Sequence, residues 1–211
     1  MKTHLNNSIP ELKAFKRAPF LGLSQWENGN LTTNLAEKKD TNGAYFLVEA
    51  VLAPGTEPPP HVHTREDELF YVLEGRFDVY VGKEAFKVEM GECVFLPRLK
   101  PHAFLIRSPR LRVLALFTPA GLEEAFRGMS TPAQRLELPT GAVTYLTGDL
   151  RQTAQRLSEY GARFLTPGEI ADQLPLYPKS LPSNAGKFTA NTSMRHTRLP
   201  TPTAGKEVKY G

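Results

Sequence analysis

Cysteine occurs once in 211 residues, at Cys93, which excludes an internal disulfide framework and fits a reducing compartment. Cys93 sits in the apolar run ECVFLP with no base beside it, so it reads as a small buried residue rather than a nucleophile. No stretch approaches the ~20 apolar residues of a membrane span, and the first twenty residues lack the apolar segment of a signal peptide. The expected location is the cytoplasm, with no membrane partner. GxGxxG, Walker, GxSxG and CxxC patterns are missing, as is any internal repeat. That removes the usual sequence grounds for dinucleotide binding, nucleotide hydrolysis, serine hydrolysis and thiol redox chemistry.

Focused charge is also scarce. The chain carries a net +4, but residues 178–211 alone hold six Lys or Arg against one acid, a net of +5, which leaves the first 177 residues at −1. A nearly neutral body with no basic helix or aromatic-basic stripe gives no reason to expect nucleic-acid binding. The size and the 40% apolar content suit a soluble globular protein with one domain and appendages.

What the sequence has is strand-like language in its middle third. Residues 45–54, 68–74, 76–81, 85–90, 92–96, 102–107 and 111–118 are short runs rich in β-branched and aromatic side chains, separated by Gly, Pro or charge. Such spacing predicts an antiparallel sandwich or barrel. In RFDVYVGKEAFKVE, a two-residue turn at Gly82-Lys83 of type II′ pairs Phe77 with Val88 and Val79 with Phe86 on one face. The other face then pairs Asp78 with Lys87 and Arg76 with Glu89. A slip of one residue loses all four matches.

After Pro119 helices are expected: a short one over 121–129, one over 149–160 stopped by Gly161, and one opened by the capping box Thr166-Pro-Gly-Glu169. The predicted organisation is an N-terminal arm with a possible edge strand (1–41), a barrel (42–120), a helical extension (121–177) and a basic Pro/Thr-rich tail (178–211). The arm, with Phe15, Phe20, Leu21, Leu23 and Trp26, and the tail are expected to lie across the barrel or on a second protomer, giving a two-fold homodimer.

Chemistry concentrates in residues 55–75, GTEPPPHVHTREDELFYVLEG. On a strand His61 and His63 share a face about 7 Å apart, and the prolines before them stiffen the approach. Glu68 opens the next strand, and His102 opens a later one after PRLKP. Three imidazoles and a carboxylate suit one divalent transition metal such as Fe, Mn, Ni, Zn or Cu. Read from the residues alone, satisfied strand-end histidines remain an equal alternative. Glu66 and Asp67 read as the solvated face of a turn, with Asp67 the substitute ligand if Glu68 is not one. Glu49, in the apolar strand YFLVEAVL, reads as a structural ion-pair partner.

The stretch resembles the first motif of the cupin superfamily, a glycine, five residues, HxH, then a glutamate and a glycine, matched by Gly55, His61, His63, Glu68 and Gly75. GECVFLPRLKPH is similar to the second motif through Gly91, Pro97 and His102. Leu99 stands where that motif often has glycine, so a different backbone shape is expected there, and Ile106 stands where it often has asparagine. The resemblance covers residues 42–120.

It implies a mainly β fold, a double-stranded β-helix or jelly-roll barrel, with His61, His63, Glu68 and His102 binding one metal ion. By alternation Phe70 and Val72 share the face of Glu68, and Phe104 and Ile106 that of His102. The cavity beside the metal is then expected to be an apolar substrate pocket; Phe70 and Phe104 read equally as pocket or barrel core, and Val72 and Ile106 read rather as ordinary barrel core. Within the cupins the sequence looks most like single-barrel quercetinase-like proteins. This implies a metal-dependent dioxygenase acting on a small phenolic or enolic, flavonol-like aromatic, with Glu68 as general base. The alternatives are a non-catalytic binding or sensing barrel, or a metal-dependent isomerase.

Overall fold

A computed structural model of the protein describes residues 11–179; the tail expectation for 178–211 lies almost wholly outside them. Two short strands open the chain, β1 (Ser24–Glu27) and β2 (Asn30–Ala36), followed by a single helical turn, α1 (Lys38–Thr41). Eight strands then run in succession: β3 (Phe46–Leu52), β4 (His61–His63), β5 (Asp67–Glu74), β6 (Arg76–Val81), β7 (Glu84–Glu89), β8 (Cys93–Leu96), β9 (His102–Ile106) and β10 (Leu111–Thr118). The remainder is α2 (Glu123–Met129), β11 (Ser130–Pro132), α3 (Leu150–Glu159), β12 (Ala162–Phe164) and α4 (Pro167–Gln173).

These strands build two antiparallel sheets facing each other, of order β11-β1-β2-β3-β10-β5-β8 and β12-β4-β9-β6-β7. Strict alternation drives the closure. In β10 every second residue is buried, from Leu111 through Val113 and Ala115 to Phe117, and in β5 Glu68, Phe70 and Val72 turn inward while Tyr71 faces solvent. The shared core includes Phe46, Phe77, Val72, Val79 and Val113. Each large apolar side chain so buried contributes about 1.5–3 kcal/mol. A second, smaller core on the outer face of the five-stranded sheet joins Val62, Tyr80 and Leu105 to Leu165 and Leu174, which flank α4.

The β6–β7 hairpin has the register expected, Phe77 opposite Val88, Val79 opposite Phe86 and Asp78 opposite Lys87. Gly82 has φ 55° and Lys83 is not in the left-handed region, as a type II′ turn requires. The helices also follow their signals. Asp149 caps α3 through the Arg151 and Gln152 amides, Gly161 follows with φ 88°, and Thr166 and Glu169 form the capping box of α4. Glu49 holds the Arg112 guanidinium with two bonds of 2.8 and 3.0 Å across β3 and β10.

Three features depart from the sequence reading. Cys93 is exposed, because Val94 and Leu96 take the inward positions of β8 and the period of two leaves Cys93 outside. Leu99 has φ 64°, the left-handed conformation that glycine adopts at no cost, so the turn keeps the glycine-like shape rather than a different one. The N-terminal region supplies β2 as an interior strand, between β1 and β3. Trp26 donates to the Glu137 carbonyl at 2.9 Å, whereas Phe15, Phe20 and Leu21 stay about half exposed.

Candidate metal centre

β4 is only three residues long, and all three are buried. His61 and His63 point into the barrel while Val62 joins the outer core. His102 arrives from β9, directly opposite His61. Glu68 is the second residue of β5, and Asp67 beside it points outward to Arg98, with contacts of 2.7 and 3.1 Å. That bidentate pair draws the Asp67 carboxyl below its usual range and removes it as a substitute ligand.

The ligand atoms of His61, His63, Glu68 and His102 all lie within 4.8 Å of one another. His61 Nε2 and His102 Nε2 are 3.0 Å apart. Glu68 Oε2 is 3.4 Å from His102 Nε2 and 3.6 Å from His63 Nε2. Donors about 2.1 Å from one ion stand roughly 3.0–3.5 Å apart when adjacent, so the spacing fits a shared cation.

The tautomers argue the same way. His61 Nδ1 lies 2.9 Å from the Pro59 carbonyl and His102 Nδ1 lies 3.1 Å from the Lys100 carbonyl. A carbonyl only accepts, so both protons sit on Nδ1 and both Nε2 atoms present bare lone pairs. Two bare lone pairs 3.0 Å apart repel unless a cation lies between them. Burial pushes the His61 imidazole down to about 3, the neighbouring His102 adding to the effect, and pushes His102 down to about 4. The imidazoles are thus neutral near pH 7 and available as ligands. Burial also raises the Glu68 carboxyl to about 7, with His61 pulling it back, because a low-dielectric surrounding disfavours the charged form of an acid.

Glu66 departs from its reading as a solvated turn residue. It is buried, its Oε2 has no hydrogen-bond partner, and it faces the equally unpartnered His63 Nδ1 at 3.9 Å. The turn that carries it is covered by the C-terminal segment: the Thr64 amide and hydroxyl both donate to the Gly161 carbonyl, at 2.7 and 2.9 Å. A carboxylate behind a ligand imidazole is the usual means of fixing that ring's orientation.

A cavity of about 110 Å³ opens beside the four side chains. Phe70 and Phe104 line it, as expected; Val72 and Ile106 do not, and belong to the core instead. The reason is depth. Phe70, Phe77 and Phe104 meet edge to face at 5.6–5.7 Å, and this aromatic floor closes off the residues one step further along each strand. Glu27 and Asn30 of the β1–β2 hairpin also line the cavity, residues that the sequence reading passed over although WENGNL carries the Asn-Gly signal of a tight hairpin. Asn28 and Gly29 have φ 47° and 87°, both positive as a type I′ turn demands. β12 was also missed: it pairs with β4, setting Ala162 opposite His63 and Phe164 opposite His61.

The pattern that defines the Cupin domain matches residues 48–118. An uncharacterized protein of Streptomyces coelicolor is 36% identical over 93 residues, covering 40% of this chain and 88% of that protein. This chain belongs to the cupin family. Quercetin 2,3-dioxygenase of Bacillus subtilis is 24% identical over 98 residues, 46% of this chain but only 29% of that enzyme's length. Among solved structures, KdgF from a Halomonas species aligns with 24% identity and a TM-score of 0.42, over 46% of this chain and 86% of that one. Of this cupin's described residues, no helix is long and apolar enough to cross a membrane.

Proposed function

We propose that this cupin binds one divalent transition-metal ion through His61, His63, Glu68 and His102 and is a dioxygenase for a small phenolic or enolic aromatic. The observation that carries the reading is the convergence of bare Nε2 lone pairs and a buried carboxylate on an apolar cavity, an arrangement that is costly without a cation. The similarity to quercetin 2,3-dioxygenase supports the reaction class. Such an ion, when bound, supplies Lewis-acid activation and redox capacity.

The chain's own residues do the rest. Glu68 Oε2 stands at the cavity and takes the proton from the substrate's enolic or phenolic hydroxyl. Phe70 and Phe104 flank the ring and exclude water, while the carbonyls of Pro59 and Lys100 hold His61 and His102 in the tautomer that leaves Nε2 free. The volume of about 110 Å³ is of the order of the ~150 Å³ cavity that holds a benzene ring. A single ring or a comparable enol therefore suits the site better than an entire three-ring flavonol.

The test joins elemental analysis of the purified protein to an O₂-uptake screen over single-ring phenols and small enols. One metal equivalent and substrate-dependent O₂ consumption are expected, with Glu68→Gln retaining part of the metal and losing turnover. No transition metal after reconstitution overturns the metal centre. Metal with substrate conversion but no O₂ uptake replaces the dioxygenase by an isomerase, and binding without conversion replaces it by a sensor.

A further inference from the structure

The cavity lining is mostly apolar; besides the histidine–glutamate cluster its polar members are Glu27, Asn30 and Thr32 of the β1–β2 hairpin, Tyr145 and Arg163. Glu27 and Asn30 face each other across the hairpin's tip, and both are more than nine-tenths buried, at 6% and 7% exposure. Both line the cavity. The Asn30 amide is oriented by its own neighbour, Nδ2 donating to the Thr56 carbonyl at 3.3 Å. This turns Oδ1 into an acceptor with no partner. Among the described residues no cation pairs with Glu27; Arg163, the cation lining the same cavity, is engaged by Glu169 at 2.9 Å.

A buried amide oxygen without a donor costs about 1–3 kcal/mol, and Glu27 beside it is buried with no cation paired to it among the described residues. The hairpin is nevertheless held there tightly. Gly29 has φ 87°, and a Cβ on it would come within 2.9–3.0 Å of Thr144 Cγ2 and Thr56 Cγ2, so the tip is wedged between two loops. A fixed, unsatisfied amide oxygen beside a buried acid, both lining a mostly apolar cavity, is the form a specificity point takes.

We propose that Glu27 and Asn30 form a recognition point for an uncharged hydroxyl group on the cavity's ligand, Asn30 Oδ1 accepting the hydroxyl hydrogen and the Glu27 carboxyl hydrogen-bonding the hydroxyl oxygen. It deepens the functional reading above by naming what the substrate carries away from the metal: a second hydroxyl, on a ring small enough for the cavity. A carboxylate in that position meets an acceptor and an acid and is disfavoured. Burial holds the Glu27 proton up to about 8, against the pull of the Asn28 amide, which leaves the carboxyl able to donate.

The experiment measures binding of phenol, toluene and benzoate by ligand-observed NMR and calorimetry, on as-purified and on chelator-treated protein. Phenol is expected to bind at least 10-fold more tightly than toluene. Asn30→Leu should lower phenol affinity about 10-fold and leave toluene unchanged or tighter. If Asn30→Leu does not fold, Glu27→Leu decides, with the same selective loss expected. Equal losses for phenol and toluene, or no preference for phenol in the unaltered protein, overturn the proposal. Metal content, measured in parallel, separates the two readings. Metal-loaded protein with no hydroxyl preference rejects the hairpin site alone, whereas the preference persisting in protein that never takes metal rejects the metal centre alone.

Discussion

At the residue scale, backbone strain and buried charge sit close to the candidate centre. Leu99 adopts φ 64° so that its amide can donate to the His63 carbonyl at 2.7 Å, which ties the turn before His102 to the HxH strand. A left-handed non-glycine residue costs roughly 1–2 kcal/mol, and the Leu99 side chain is 66% exposed, so little packing offsets it. Leu99→Gly is expected to raise unfolding stability by about 0.5–1 kcal/mol once glycine's greater unfolded-state entropy is subtracted, as read by urea titration; a loss of stability contradicts this.

Glu27 gives a pH-dependent counterpart. Its carboxyl rises from 4.5 to about 8 on folding, chiefly by burial. Tyr145, raised by the same burial and by Glu27 itself, stays neutral throughout this window. Below the unfolded value both states hold the proton and stability is full; as pH climbs through the folded value that contribution is lost. The melting temperature of the unaltered protein relative to Glu27→Gln should therefore fall between pH 5 and pH 8 and level off above it. A pH-independent difference would show that Glu27 keeps its ordinary acidity.

The convergence of His61, His63, Glu68 and His102 was legible at this scale because a period of two and motif spacing fix which side chains share a face. Glu66 and Cys93 were not. Glu66 lies in a turn, where no period operates, and its burial comes from tertiary packing. Cys93 lies in a run apolar on both faces, where composition hides the alternation.

At the element scale, the central strands could be read because each is bounded by turn residues and carries cross-strand partners. β1 and β2 are hard to read from sequence because their polar residues, Glu27, Asn30 and Thr32, are the ones that turn into the cavity, inverting the usual inward-apolar pattern. β12 is only three residues long, too short to show any period, yet it matters to the site. β4 meets β9 in one pair, His61 with His102, and meets β12 in three. The Leu165 amide adds a bond to the Pro60 carbonyl at 2.8 Å.

Most of the strand pairing of the HxH segment thus comes from outside residues 48–118. Gly161 is the joint, with φ 88° and room for no side chain, since a Cβ would lie 2.8 Å from the Arg65 stem and 2.9 Å from Thr64 Oγ1. Gly161→Ala is expected to lose about 1–3 kcal/mol of stability and, through the displaced β4, to weaken metal affinity roughly 10-fold in a competition titration with a chromophoric chelator. Unchanged affinity in a folded variant would show that β4 holds its place without β12.

At the scale of the whole molecule, β8 and β7 each have no strand partner on one side among the described residues, and the outer face of β5 and β8 exposes Tyr71, Cys93 and Phe95. An apolar face beside an unpaired strand edge is a surface for self-association, so the expected particle has twice the 23.5 kDa mass of the chain. Light scattering should report that mass, and Phe95→Glu should shift it towards one chain; a monomer at micromolar concentration rejects the dimer.

The same scale joins the candidate centre to folding. Ligands that reach one point from β4, β5 and β9 belong to both sheets, so an ion held by all of them clamps one sheet to the other. The unfolded chain offers no such point, and a ligand bound only by the folded state stabilises it by about 2.7 kcal/mol at a hundred times its dissociation constant. For a chain of this size, 1 kcal/mol moves the melting temperature by roughly 2–4 °C. Chelator treatment of metal-loaded protein is therefore expected to lower the melting temperature by about 5–10 °C, and re-addition of the ion should restore it. His63→Ala, lacking a ligand, should melt at one temperature whether or not chelator is present. If the unaltered protein and His63→Ala respond alike, the stabilising ion sits elsewhere and the four side chains do not form the clamp.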